Sequence, residues 1–310
     1  MPGQFVKAVL AIITHICIIY LALRSATIMI TRTSCGILVK KILHNDQALD
    51  YQRDGYVFPI KALAIDEAHG YRCRLEAAED ALGRKLQHME LHKSYLFFTF
   101  LDELVRHECI LDAVEDLIGP DILTFSSSLF IKEPGDKRFI AWHQDSTYWR
   151  FEPTDILTAW VALTPCHRGN GCLQLATGSH RWGQVEHREI LDERNMLSRN
   201  QQIDNEVIER ATNQDVVLQP GEISFHHMFT AHASGPNSSP DRRIGFAIRY
   251  MATSTRQTGG PKLTAMLVRG TDTHGYYEPE QSPQRDFDPD GMAFHRQTVE
   301  RHRATKYSTM

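Results

Sequence analysis

Two histidines and one aspartate carry the first chemistry that this sequence offers. His143 and Asp145 stand two apart in "FIAWHQDSTYW" (139–149), between the strand-like runs "SSSLFIK" and "LTAWVAL". His232 comes much later, just after "EISFHH". Two imidazoles and one carboxylate are the ligand set of the non-haem Fe(II) facial triad. Three ligands on one face leave positions open for a chelating cosubstrate and for dioxygen, and this donor set suits Fe(II). The spacing alone decides nothing. His44/Asp46, His88/Glu90 and His187/Glu189 repeat it in a chain of 16 histidines. His44/Asp46 and His187/Glu189 lack two flanking strands with a distant histidine, and read as coincidence.

His226 and His227 are rivals for the third ligand position. His232 is preferred because Ser234 stands two residues beyond it and Arg243 heads the alternating run "RRIGFAIRYM". Strand alternation allows only one of Arg242 and Arg243 to face inward. An inward arginine needs a carboxylate partner. The distal carboxylate of 2-oxoglutarate would supply it, with Ser234 adding a hydrogen bond. Arg249 and Tyr250 are further candidates to shape the pocket, and His180 reads as a structural loop residue.

These residues need a scaffold. After "PIKALAIDEA", a short strand with Asp66 as a helix cap, residues 67–82 fit a helix. "TFLDELVRHECILDAVEDLIG" carries apolar residues at helical spacing and ends at Gly119-Pro120. Strand-like runs then take over: "DILTFSSSLFIK", "DILTAWVAL", "DVVLQPGEISFHH" and "RRIGFAIRYM". Asn170-Gly171 gives a hairpin signal before "CLQLA". Helices first and short strands afterwards predict an antiparallel barrel or sandwich buttressed by helices. From about Pro279 the tail reads as loop plus a short surface helix.

The 310 residues suffice for one large domain with a substantial core. With 42% hydrophobic residues, 23% charged residues and a net charge of −4, no basic block points to nucleic acid. No CxxC pair occurs among the 6 cysteines. Cys166 and Cys172 flank "HRGNG" and could meet across a hairpin, but free buried thiols are the expectation. Residues 1–44 are expected to lie outside the domain, which takes 45–310. Within them, "AVLAIITHICIIYLAL" (8–23) is apolar and at the short edge of a membrane span. Anchor, targeting segment and upstream extension remain three competing readings. A cytoplasmic location is the expectation, with membrane association through 8–23 as the variant.

From about Tyr51 to Arg296 the chain resembles the phytanoyl-CoA dioxygenase family of Fe(II)/2-oxoglutarate oxygenases. "SSSLFIKEPGD", "WHQDSTYW", "TAWVAL", "NGCLQLATGSH", "PGEISFHH" and "HASGPN" carry the resemblance in order and spacing. It implies a mainly β fold with flanking α-helices, the double-stranded β-helix or cupin-like jelly roll. It implies oxidation of a small molecule with conversion of 2-oxoglutarate and O2 to succinate and CO2, ascorbate assisting. It assigns His143, Asp145 and His232 to iron, and Arg243 and Ser234 to the cosubstrate. Trp160, Lys93 and Ser128 it places along the cosubstrate pocket. Halogenating members carry Ala or Gly at the aspartate position, so Asp145 favours hydroxylation. Desaturation, cyclisation or epimerisation at the same iron is the alternative. A non-catalytic metal-binding cupin-like barrel would have no use for Arg243 and Ser234.

Overall fold

Ile156–Ala162 is apolar at nearly every position, and every one of its residues is buried. A strand of that kind needs cover on both faces, and it lies in the middle of a large sheet. The computed structural model describes residues 41–307 apart from Ser198. The apolar stretch 8–23 and its three readings fall outside the described residues. No helix among the described residues is long and apolar enough to cross a membrane.

The strands of the two main sheets are β1 (Tyr56–Lys61), β2 (Ile122–Lys132), β3 (Ile140–His143), β4 (Ile156–Ala162), β5 (Leu173–Ala176), β6 (Asn213–Asp215), β7 (Glu222–His227), β8 (His232–Ser234), β9 (Arg243–Ala252), β10 (Thr264–Arg269) and β11 (Glu278–Pro279). The seven-stranded sheet runs β1-β7-β4-β9-β2-β10-β11, and the four-stranded sheet β3-β8-β5-β6. All neighbours in these sheets pair antiparallel except β10 with β11. This is the mainly β jelly roll with flanking helices.

The two-residue period of β4 divides its side chains between two jobs. Leu157, Ala159 and Val161 pack outward with Leu75, Leu101, Leu104 and Val114 of the helical layer. Trp160 and Ala162 turn inward, against Leu173 and Leu175 of the small sheet. The longer helices are α1 (Asn45–Asp54), α2 (Ile65–Leu82), α3 (Thr99–Val105), α4 (Glu108–Ile118) and α5 (Pro289–Tyr307).

Several expectations are corrected. The domain reaches back to Lys41: the Asp116 carboxylate accepts the N–H groups of Lys41, Ile42 and Leu43 at 2.9–3.0 Å, and Leu43 is buried. Asp66 lies in the first turn of α2, not at its cap, which is the extended Ala64. The expected single helix over 99–118 is two, broken at Arg106-His107. Ile110 stands five residues beyond Val105, about 140° further round a continuous helix, so one straight helix would aim half its apolar stripe at water. Asn170-Gly171 does not close a hairpin. It ends a crossing from β4 to β5, which belong to different sheets. Gly171 has φ 71°, and a Cβ there would lie 2.1 Å from the Gly235 carbonyl oxygen. Cys166 and Cys172, as expected, are buried and free. The tail helix is long and packed, with His295, Thr298, Val299 and His302 buried. Polar residues on its buried side hide it from an apolar-period search.

Candidate metal centre and cosubstrate cavity

The inner faces of the two sheets enclose a cavity lined by His143, Asp145 and His232 at one end and by Arg243 and Ser234 at the other. His143 ends β3 and His232 begins β8, and these strands pair so that the two histidines are register partners. Their rings lie 4.1 Å apart. Asp145 opens a short 3-10 turn directly after β3. One ligating atom from each of His143, Asp145 and His232 fits within 4.8 Å of the others, the one such group among the described residues.

The hydrogen bonds around the triad fix which atoms face inward. His143 Nδ1 lies 2.9 Å from the Ala141 carbonyl oxygen and 3.1 Å from that of His232. His232 Nδ1 lies 2.9 Å from the Thr230 carbonyl oxygen. A carbonyl only accepts, so each Nδ1 carries the proton and each Nε2 presents its lone pair. Burial, then His232, pushes His143 down to about 3. Burial likewise lowers His232. Both rings are therefore neutral, as metal ligation requires. Burial opposes the charge of Asp145, but Arg249 foremost, with the nearby histidines, holds it well below the usual carboxylate range. Three buried donors, two of them locked in the ligating tautomer, fit a divalent metal.

The other end fits a carboxylate. Arg243 is 1% exposed, and its Nε has no hydrogen-bond partner. No acidic side chain forms an ion pair with it among the described residues. Ser234 Oγ donates to the Gly171 carbonyl at 2.7 Å and accepts from Arg243 Nη2 at 3.2 Å and Lys132 Nζ at 2.7 Å. That fills a hydroxyl's capacity, so Ser234 orients Arg243 and leaves the open donor to the arginine. The guanidinium lies 5.5 Å from the Trp160 ring. Trp160 needs the glycine at 245: a Cβ there would come within 1.9 Å of the indole. Arg242, by alternation, points outward to Glu79 and Glu133.

Two expected pocket residues are not among those that line the cavity. Lys93 is buried, but it does not line the cavity: Nζ bonds Glu280 and, at 3.0 Å, Thr264 Oγ1. A buried ammonium takes the carboxylate that the fold brings to it, and here that is Glu280. Ser128 shares the inner face of β2 with Phe130 but is not among the cavity's lining residues; it accepts from Arg249 Nη1 at 2.8 Å and faces His92 Nδ1 at 3.0 Å. His180 is structural as expected, with Nε2 3.1 Å from the Gln52 carbonyl oxygen. His187 Nε2 accepts the Gln144 N–H at 2.9 Å, so the coincidental His187/Glu189 pair braces the turn that carries Asp145. Sequence reasoning missed Lys132, Thr158 and the inward direction of Arg249. Thr158 and Arg249 had a local signal, Thr158 two residues before Trp160 and Arg249 six after Arg243, each on the same face as an inward residue.

The sequence profile described as Phytanoyl-CoA dioxygenase (PhyH) matches residues 51–245, more than half of the chain. The chain belongs to the phytanoyl-CoA dioxygenase family. Among family relatives, a probable alpha-ketoglutarate-dependent hypophosphite dioxygenase of Stutzerimonas stutzeri is 28% identical over 51% of this chain and 55% of its own length. The peroxisomal phytanoyl-CoA dioxygenase of Homo sapiens is 25% identical over 56% of this chain and 51% of its own. The chain thus spans about half the length of these curated relatives. A solved structure titled as the non-heme monooxygenase ThoJ, apo, is 35% identical with a TM-score of 0.72, over 84% of this chain and 97% of that one.

Proposed function

We propose that this protein is a mononuclear Fe(II)- and 2-oxoglutarate-dependent oxygenase that hydroxylates a small molecule and releases succinate and CO2. One observation carries the reading: a buried His143/Asp145/His232 triad with two free Nε2 atoms shares its cavity with Arg243, a buried cation that has no carboxylate of its own. A metal-binding barrel without turnover would gain nothing from such an arginine, which burial makes costly. The family match and the names of its relatives support the same chemistry.

His143, Asp145 and His232 would hold the iron through Nε2, a carboxylate oxygen and Nε2. Arg243, oriented by Ser234 and stacked near Trp160, would hold the distal carboxylate of 2-oxoglutarate. When bound, the iron supplies the activation of dioxygen. The chain's own work is placement. Carbonyls fix the histidine tautomers, Thr158 Oγ1 donates to Asp145 Oδ2 at 3.1 Å, and apolar walls such as Phe130 and Leu173 exclude water. Asp145 fills the position at which halogenating members of the family lack a carboxylate, so hydroxylation is the proposed outcome.

The test is an activity screen of purified protein with Fe(II), ascorbate and 2-oxoglutarate over a metabolite library. Succinate release and a product heavier by one oxygen are expected. A protein that binds neither Fe(II) nor 2-oxoglutarate would sink the reading.

A further inference from the structure

The inner face of the large sheet carries a polar row of which the proposed chemistry uses only Thr158. His226 of β7 and Arg249 of β9 are both register partners of Thr158 on β4, one from each side. All three side chains approach one atom, Asp145 Oδ2. Thr158 Oγ1 reaches it at 3.1 Å, whereas Arg249 Nε stops at 3.9 Å and His226 Nε2 at 4.0 Å. Only Thr158 is within hydrogen-bond distance. Among the described residues, Arg249 Nε and both ring nitrogens of His226 have no hydrogen-bond partner, although the two residues are 7% and 1% exposed. A neutral histidine always has one N–H and one lone pair to satisfy. Both residues line the cavity.

Arg249 is built to point there. Nη1 is tethered to Ser128 Oγ at 2.8 Å, and the guanidinium lies 5.9 Å from the Phe130 ring and 6.0 Å from that of Trp149. Its backbone is also well separated from that of Arg243: six residues along β9 span roughly 20 Å of strand. Charge points the same way. A divalent metal with Arg243 and Arg249 brings four positive charges, and Asp145 with a dicarboxylate cosubstrate brings three negative ones. With both cosubstrate carboxylates counted, one buried positive charge stays uncompensated, which a dry cavity penalises and an anionic substrate group would meet.

We propose that Arg249 and His226 form a second oxyanion subsite beside the metal face, distinct from the Arg243–Ser234 end. It takes a carboxylate or a comparable oxyanion. The source is either the anionic group of the substrate or the carboxylate next to the keto group of the cosubstrate. Such a subsite presupposes that the triad beside it holds a metal, as proposed for the oxygenase.

The experiment uses the full chain loaded with cobalt(II), whose visible absorption reports ligation, and measures probe binding by calorimetry. The probes are 2-oxoglutarate, pyruvate as a 2-oxo acid without a distal carboxylate, and phosphite added to the 2-oxoglutarate complex. Arg243→Met should weaken 2-oxoglutarate at least about thirtyfold and spare pyruvate. If the cosubstrate supplies the anion, Arg249→Met and His226→Phe weaken pyruvate and 2-oxoglutarate together, at least about tenfold. If the substrate supplies it, both variants keep those affinities and lose phosphite. Arg249→Lys, which keeps the charge, should retain part of the affinity, and with His226→Phe it carries the test if Arg249→Met fails to fold. Wild-type affinity of Arg249→Lys and His226→Phe for every probe at saturating cobalt would overturn the subsite and leave the row as a brace for Asp145. A wild-type protein that binds no cobalt would instead overturn the metal reading beneath it.

Discussion

Two buried polar clusters in this molecule use the same kinds of side chain and meet burial differently. At Lys93 the ammonium is paired with Glu280, whose other oxygen accepts the Tyr95 hydroxyl at 2.6 Å, and Thr264 joins both. That cluster is closed. In the cavity, Arg243 Nε, Arg249 Nε, both nitrogens of His226 and the Trp160 indole nitrogen have no partner among the described residues. That cluster is open. Buried polar groups are normally satisfied, so the open cluster gives up stability that a ligand can restore, while the closed one needs none.

The largest expected effect comes from the open cluster's centre. Asp145→Ala removes a ligand and a charge, so Fe(II) binding and succinate release should fall at least about a hundredfold, beyond what loss of an outer partner costs. Asp46→Ala repeats the change in an exposed helix turn and should alter neither. Metal content and succinate release, measured side by side, check this. Full activity of Asp145→Ala would remove the triad from the mechanism.

The closed cluster should answer in stability. Glu280→Leu leaves Lys93 buried without its partner, at a cost of about 3–5 kcal/mol of unfolding free energy. Replacing both, Lys93→Met with Glu280→Leu, should recover most of that loss. Urea unfolding reads both variants. The affinity of the folded double variant for 2-oxoglutarate should stay at the wild-type value. A large loss of that affinity would return Lys93 to the cosubstrate, where the family resemblance put it.

Arg243 should invert that pattern. Arg243→Ala removes a buried cation that has no acidic partner, so stability should hold. The 2-oxoglutarate requirement should rise by about 30-fold to several thousandfold, the effect of truncating one partner of a buried charge pair. Arg242→Ala should do the reverse, because it breaks contacts to Glu79 and Glu133 and touches no ligand. Titrations of both variants with 2-oxoglutarate, alongside their unfolding curves, separate the two arginines.

These contrasts also mark what the sequence could say. The meeting of His143, Asp145 and His232 and the inward direction of Arg243 were legible because residue types, strand alternation and spacing are local properties. Trp160 was legible through the family resemblance, and Thr158 follows from it by the period of two. The destination of Lys93 was not legible, since Glu280 comes from a segment far along the chain. His226 and Arg249 become neighbours of Thr158 only through the order β7-β4-β9, which no local pattern encodes. The helix break at Arg106 was present as a phase jump in the apolar stripe. Helix α5 was hidden because histidines and threonine fill its buried side.

A third cluster tests whether unpaired buried nitrogens by themselves mark a ligand site. His180 and His227 lie with rings 5.9 Å apart, and His180 Nδ1 has no hydrogen-bond partner. Neither ring lines the cavity. Burial, then His180, pushes His227 down to about 4, against the pull of Asp155. An unfolded histidine titrates near about 6.5. Between those values the unfolded chain binds a proton that the folded protein refuses. The contribution of neutral His227 is therefore complete above about pH 6.5. It is lost as pH falls toward about 4, by up to about 1.4 kcal/mol per pH unit. His227→Gln should be the less stable protein at neutral pH, because Nδ1 accepts the Phe229 N–H at 3.1 Å. Its deficit against wild type should shrink as pH drops through that window, and its affinity for 2-oxoglutarate should not change. Urea unfolding of the metal-free proteins at several pH values reads the first effect, and a 2-oxoglutarate titration reads the second. A constant deficit would mean that His227 keeps an ordinary proton affinity in the fold. A lost 2-oxoglutarate affinity would join this cluster to the open one, and would break the distinction between a buried histidine that its surroundings keep neutral and one that waits for a ligand.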